Sequence, residues 1–489
     1  MLSMQRRLSL PFLFLLSLPS TAMGFALAVQ ISALSWLLTT KYDLEIHQVG
    51  LVWAAGPLAG ILGQVLIGLI SDKVWFWGGR RRPFMLVGGV LTALALLALP
   101  SIGWIDTALG LDAILGVAVT VALALDLSIN VSFNPTRAII ADVTPEGPER
   151  TRAYTWMQTV SGSFGVLAYA IGAYYGNVAL IYFGAGLVLV FSLLPPLLVE
   201  EPRSLGEAEP GIEEPPLGLL PFLILMRPLW AFAVYAVVAM GLKLAGVTHT
   251  LWLEAGFALA AGLLILHALF ERQSSLSAGG EDLPGFRKVL AAHSLSWIGV
   301  QTMFVFMVGF VSQRFPALDD DGIGQVISVS FLVLNAVGAL APAFVLNGLA
   351  QRFGASRVHS ASLALMAVGF AGVYFFGHSK WAVYVGMAVM GFGWGAIVSL
   401  PFAIFSQCVS PRRIGLYMGV FNLSVVLPQL AVSLGVGMLV SQLEDKGSVF
   451  VVGAISMALS ALAWTALKSP PRDAAIGSAP ASATSSSAH

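Results

Sequence analysis

Charge is the scarcest property of this 489-residue chain. Only 10% of its residues are Asp, Glu, Lys or Arg, against about 25% in soluble domains. With 57% apolar residues and a mean hydropathy of +0.85, a soluble globule is excluded and a polytopic membrane protein is expected, with the lipid bilayer as its partner. Its 25 basic residues balance its 25 acidic ones, so no bulk field draws nucleic acid, and no such partner is expected. A single cysteine, Cys408, excludes an internal disulfide framework and a cysteine-based metal cluster. At an apolar helix end it reads as packing. A P-loop is also lacking, so this chain would not itself use ATP. No cofactor, resident metal or enzyme chemistry is expected.

Long apolar runs are what the chain has instead. Taking ~20 residues per crossing, the runs fall at roughly 9–38, 49–71, 84–104, 112–140, 153–175 and 177–199, then 218–246 and 250–271, then 289–313, 322–348, 358–378, 381–408, 413–441 and 447–467. That is fourteen spans in the pattern six, two, six. The first resembles a secretion signal, with Arg6 and Arg7 before an apolar stretch, but it is too long for one and reads as an uncleaved helix. Two hydrophilic linkers, Glu200 to Pro216 and Glu271 to Lys288, bracket the central pair. The expected organisation is an N-terminal bundle over 1–199, a central linker with two extra helices over 200–288, a C-terminal bundle over 289–468, and a disordered Ser/Ala/Pro-rich tail over 469–489. Of the 25 Lys and Arg residues, nineteen fall on the side of the termini, five on the other, and Arg137 lies within the membrane. The positive-inside rule then puts both termini in the cytoplasm of a cell whose inner membrane holds the chain.

One run breaks the apolar rule. Val119 to Ala141 contains Asp126, Asn130, Asn134 and Arg137. At about 100° per residue these four share one helix face. An isolated charge at the bilayer centre costs at least ~2.5–3.5 kcal/mol, so such residues face a protein interior or a wet cavity. Asp126 and Arg137 stand ~16 Å apart along a straight helix, too far to pair unless Pro135 kinks it. Gln30, Gln158, Asn422 and Gln429 are further polar residues in apolar spans. Each can bind a polar ligand or hold helices together. Trp36, Trp53, Tyr154 and Trp156 offer ring faces for stacking, with packing as the plainer reading.

The two six-span blocks also resemble each other. Pro135 to Pro145 (PTRAIIADVTP) ends the fourth span, and Pro401 to Pro411 (PFAIFSQCVSP) ends the fourth of the second block. Gly68 to Arg82 and Gly348 to Arg357 both join a second span to a third. Parallel six-helix repeats around a midplane cavity resemble the major facilitator fold. The fold class expected is an all-α polytopic membrane protein of that fold, two six-helix repeats plus two extra central helices. The GxxxD…GRRR loop is similar to that superfamily's gating motif, with Asp72 close to Arg80, Arg81 and Arg82. The plainer reading of the arginines is an anchor on anionic lipid.

More specifically, Gly79-Arg-Arg-Arg-Pro-Phe84 resembles the signature of the sucrose-transporter family of proton-coupled disaccharide symporters. AVQISAL (Ala28 to Leu34), EIHQVGLVWAAGPLAG (Glu45 to Gly60), Arg137 to Asp142 followed by ERTRA (Glu149 to Ala153), and GVFNLSVVLPQ (Gly419 to Gln429) are similar to further family segments in the same order. The resemblance implies a small sugar and protons as partners. It assigns proton coupling to Asp126, with Asp142 as runner-up, and sugar binding to Arg137, helped by Asn130, Asn134, Gln30, Gln158, Asn422 and Gln429. His47 matches a histidine of the family's first outer loop and marks the entrance. Plant members carry two acids near the end of the seventh helix, where this chain has Phe310 and Phe315 beside Arg314. Proton carriage suits a carboxyl in a low-dielectric cavity; the alternative for Asp126 is a structural pair. Asp142, at a helix end, suits an ion pair with Arg150 or Arg152, and Arg137 has the alternative of snorkelling towards it. The function implied is proton-driven uptake of sucrose or a maltose-like glucoside. A facilitator or exporter of another small solute, or a non-transporting sensor or assembly factor, remain the alternatives.

Overall fold

Inside a bilayer every backbone group must be paired within its own segment, which leaves helices as the element for apolar runs of this length. The computed structural model describes residues 5, 7–60, 74–145, 148–203, 218–244, 247, 251–273, 281–409 and 414–467. Its long helices are α1 (Leu10–Thr40), α2 (Ile46–Trp53), α3 (Arg82–Leu109), α4 (Ile114–Val143), α5 (Pro148–Tyr175), α6 (Asn177–Leu198), α7 (Trp230–Leu244), α8 (Leu251–Phe270), α9 (Leu283–Arg314), α10 (Asp320–Ala341), α11 (Ala355–Phe376), α12 (Lys380–Phe405), α13 (Ile414–Ala431) and α14 (Ser448–Thr465). Among the described residues there is no strand, only one isolated bridge between Phe76 and Gly79.

Among the described residues eleven stretches are long and apolar enough to cross a membrane. The second expected span runs into residues 61–73, outside the described residues; so do Asp72, the tail over 469–489 and part of each linker. The fifth is the 28-residue helix α5, which carries too many polar residues to count. The seventh is not the continuous span expected over 218–246. A short helix, Leu219–Leu225, gives way to a 3-10 turn at Arg227–Leu229 before α7 begins. Pro228 has no N–H to continue an α-helical ladder, which accounts for the break.

Packing follows one scheme twice. In the first group α6 lies on α1 and α3, α3 on α4, α1 on α5, and α2 on α4. In the second, α14 lies on α9 and α11, α11 on α12, α9 on α13, and α10 on α12. The groups meet where α5 packs on α10 and where α2 packs on a π turn, Val432–Val436, that continues α13. Apolar side chains such as Trp252, Phe270, Phe344 and Trp381 stand exposed on the outside, as a surface bathed by acyl chains requires.

Hydrogen bonds between the groups gather at one end, opposite Arg81 and the start of α1. Ser35 Oγ donates to the Val305 carbonyl (2.8 Å), Trp36 Nε1 to that of Asp320 (2.6 Å), and Gln325 Nε2 to that of Ala173 (3.0 Å). Ser32 and Ser328 hydroxyls lie 2.8 Å apart, and Ser328 also donates to Asn177 Oδ1 at 2.8 Å. Lys41 pairs with Asp320 across the same end. That end is therefore knotted shut.

Candidate functional site

The site grows from two irregularities. A π turn, Gln30–Leu34, interrupts α1 and begins at Gln30; such turns re-aim side chains and recur at functional positions. Here Gln30 Nε2 reaches across to α4 and donates to both Asp126 oxygens, at 3.2 and 3.0 Å. Asp126 is only 5% exposed. On its other flank stands Gly56, where a Cβ would lie 3.2 Å from Asp126 Oδ2. Glycine lets the chain beyond α2 close over the carboxyl. Among the described residues no cation pairs with Asp126; its side-chain partner is Gln30 of α1, an inter-helix pair of the kind expected as the alternative to proton carriage.

Asn130 sits one turn further along α4 and donates its amide to the Asp126 carbonyl at 2.8 Å. Asn134 is half-buried on the same face. Arg137 is exposed, with its guanidinium 4.1 Å above the Phe133 ring, a cation–π contact. The Tyr154 hydroxyl of α5 donates to the Arg137 carbonyl at 3.1 Å. Among the described residues no salt bridge joins the Arg137 guanidinium to Asp142, whose partner is Arg81. The stripe thus separates into an enclosed carboxyl with an amide donor and an open guanidinium whose donor fork is available.

Asp142 belongs to a different assembly. It pairs with Arg81, at 2.9 Å with both side chains about a tenth exposed; the side chain of Arg150, one of the two partners expected, lies outside the described residues. Folding brings the loop before α3 against the end of α4, which places Arg81 on Asp142. The Glu201 carboxylate completes this cluster by accepting the backbone N–H groups of Arg80, Arg81 and Arg82 at 2.7, 2.8 and 2.7 Å. A carboxylate at a helix start satisfies N–H groups that have no partner within the helix. Arg82 Nη2 donates to the Val199 carbonyl at 2.6 Å. The arginine triplet is thus tied to Asp142 and Glu201; Asp72, the partner expected from the motif, lies outside the described residues.

The second group contributes an amide chain. Gln429 Nε2 donates to Gln301 Oε1 at 3.1 Å, and Gln301 Nε2 to Ser433 Oγ at 3.2 Å. Asn422 is half-buried on α13, and Gln158 is exposed on α5; no hydrogen bond joins either to Asp126. His47 lies 3.1 Å from the Glu45 carboxylate at the knotted end. Trp36 and Trp53 are buried with their ring N–H groups bonded, so they pack and do not stack on a ligand. Half-buried rings missed by the sequence reading are Trp297 and Trp394, with centroids 6.1 Å apart, the second donating to Asn335 Oδ1 at 3.1 Å. Arg314 sits over Phe310 near Asp445 and His378, remote from the stripe along α9.

The model of the Major Facilitator Superfamily matches residues 16–317 and 289–488. A sucrose transport protein of rice, Oryza sativa subsp. indica, is 26% identical over 494 residues, covering 87% of each chain. The general alpha-glucoside permease of Schizosaccharomyces pombe is 33% identical over 193 residues, 35% of this chain and 34% of that one. Among solved structures, the nucleoside transporter NupG superposes with a TM-score of 0.63 at 14% identity, over 94% of this chain and all of that one, a likeness of fold. These relatives are transporters, and the chain is a multi-pass membrane protein of their kind, not an enzyme. It belongs to the Major Facilitator Superfamily and, within it, to the sucrose-transporter family.

Proposed function

We propose that this protein is a proton-coupled symporter that carries a disaccharide, sucrose or a maltose-like glucoside, into the cell. Asp126 carries the reading: an enclosed carboxyl, bonded to a neutral amide and, among the described residues, to no cation, beside a helix face that ends in an open guanidinium. Asp126 takes the proton, with Asp142 as a second candidate. Arg137 holds the sugar by its planar donor fork, with Asn130, Asn134, Gln30, Gln158, Asn422 and Gln429 as further donors and acceptors. His47 guards the entrance, and Asp72 joins Arg80, Arg81 and Arg82 in the gate. The names of the rice and fission-yeast relatives support a sugar as cargo.

Two six-helix halves, 1–199 and 289–468, move about this face, with 200–288 supplying the extra pair and fourteen spans in all. The repeated packing scheme supports this division. With both termini cytoplasmic in the inner membrane, the knotted end is the outer one, and the conformation is inward-facing. In alternating access the halves rock about a fixed midplane site.

Uptake of labelled sucrose and maltose into proteoliposomes tests the reading. An imposed inward proton gradient should drive accumulation above the equilibrated level, and collapsing the gradient should abolish it. Equilibration without accumulation would make the protein a facilitator. No movement of any disaccharide would leave the sensor or assembly-factor alternative.

A further inference from the structure

The central helix pair stands outside the two six-helix groups, yet three contacts tie it to their seam. At its base, Glu271 accepts from Arg227, before α7, and from Arg287 Nε on α9 at 2.7 Å. The pair is thus bolted to the second half. Along its length, Tyr235, Ala236 and Ala239 of α7 form one apolar cluster with Leu430 and Leu434 of the second half and with Ala54 of the first, next to Leu51 and Leu58. One helix therefore touches both walls of the seam between α2 and α13. Third, the Tyr235 hydroxyl and the Glu254 carboxylate converge on Gly435, inside the π turn on which α2 rests. A Cβ at Gly435 would meet Glu254 Oε2 at 2.8 Å and the Tyr235 ring at 3.0 Å, so glycine is what allows this approach.

We propose that α7 and α8 act as a clamp on the α2–α13 seam: fixed to the second half, the pair grips α2 while the knotted end is shut and must release it for that end to open. Tyr235, Ala236 and Ala239 are then positioning residues for the conformational cycle and touch no sugar. The proposal rests on the transport reading only in that the knotted end must open during function. The anchoring is asymmetric. Ion pairs, a π turn and apolar contacts hold the pair to the second half, whereas among the described residues apolar side chains hold it to α2, so the α2 contact is the one that parts. Weakening that contact removes free energy from the shut state alone and shifts the population towards the open one.

Electron-spin distance measurement on the full chain in lipid nanodiscs tests this. Spin labels go on Leu111→Cys, between α3 and α4, and Leu443→Cys, just after the α13 extension; both are exposed at the knotted end on opposite halves, in a Cys408→Ala background. Without sugar, Tyr235→Ala and Ala239→Leu should each raise the long-distance population about threefold or more over the parent. The control Val237→Ala, on the exposed face of α7, should leave it unchanged. If Tyr235→Ala fails to fold, Ala239→Leu decides. An unchanged distribution in a variant that elutes and melts like its parent overturns the clamp, as does an equal shift in Val237→Ala. Failure of sugar uptake in the parent would refute the transport reading and leave these distances free to decide the clamp on their own.

Discussion

Replacing Glu271 with glutamine keeps the shape of the corner where α7, α8 and α9 meet and removes its negative charge. Side-chain exposures of 16% for Glu271, 23% for Arg227 and 12% for Arg287 place the triad mostly out of water. Leaving charges uncompensated in such a place costs ~3–5 kcal/mol when burial is complete. Partial access to water and the hydrogen bonds that glutamine retains reduce the expected loss to about 2–3 kcal/mol. Burial pushes the Glu271 carboxyl up, but hydrogen bonds and charge from Arg287 and Arg227 outweigh it, so the folded group ionises below the ordinary value of 4.5. The sign of the pH dependence follows. A depressed folded value gives stability that is fully present above the unfolded value and is lost as pH falls through the folded one. Chemical unfolding of both proteins in detergent should show the full gap at pH 7 and a shrinking gap as the pH is taken below 4.5. Equal stability at pH 7, or a gap that widens on acidification, would refute the argument.

The Arg81–Asp142 ion pair makes its own prediction. Arg81→Ala and Asp142→Ala should each destabilise the protein, and the double variant by less than their sum; a cycle of unfolding measurements should return a coupling of about 1–3 kcal/mol, and strict additivity would show that the 2.9 Å pair does not couple. Arg137→Lys keeps the charge but loses the planar fork, so the sugar concentration for half-maximal uptake should rise about tenfold, equivalent to ~1.4 kcal/mol, while the response to a proton gradient persists. An unchanged half-maximal concentration would remove Arg137 from the sugar site.

Local features were legible in the sequence and pairings between distant segments were not. Hydropathy marked the helices because a lipid-facing surface leaves no other choice of residue. Helical period put Asp126, Asn130, Asn134 and Arg137 on one face, and the structure keeps them on α4. Gln30 was visible as a polar residue in an apolar run, but its bond to Asp126 spans 96 residues and depends on a π turn with no sequence mark of its own. Glu201 lay in a linker read only for its polarity. Its role as acceptor for three backbone N–H groups arises because α6 ends beside the start of α3. The break at Arg227 and Pro228 was hidden because the runs on both sides of these two residues are apolar. His293 and His359, both buried, were passed over because acids were sought; His293 Nε2 accepts from Trp297 Nε1 at 2.9 Å, while its Nδ1 and both His359 ring nitrogens lack a hydrogen bond among the described residues. Gln301 was missed because a lone amide in an apolar run resembles many helix-packing residues until its partners are seen.

The central claim is that Asp126 carries the proton. Sugar flux through the Asp126→Asn variant in proteoliposomes tests it most directly, because asparagine keeps a polar group beside Gln30 but cannot release a proton at physiological pH. Exchange of labelled for unlabelled sugar should continue while accumulation driven by a proton gradient falls to the equilibrated level. Undiminished accumulation in that variant would contradict the account and place the carrier on another residue.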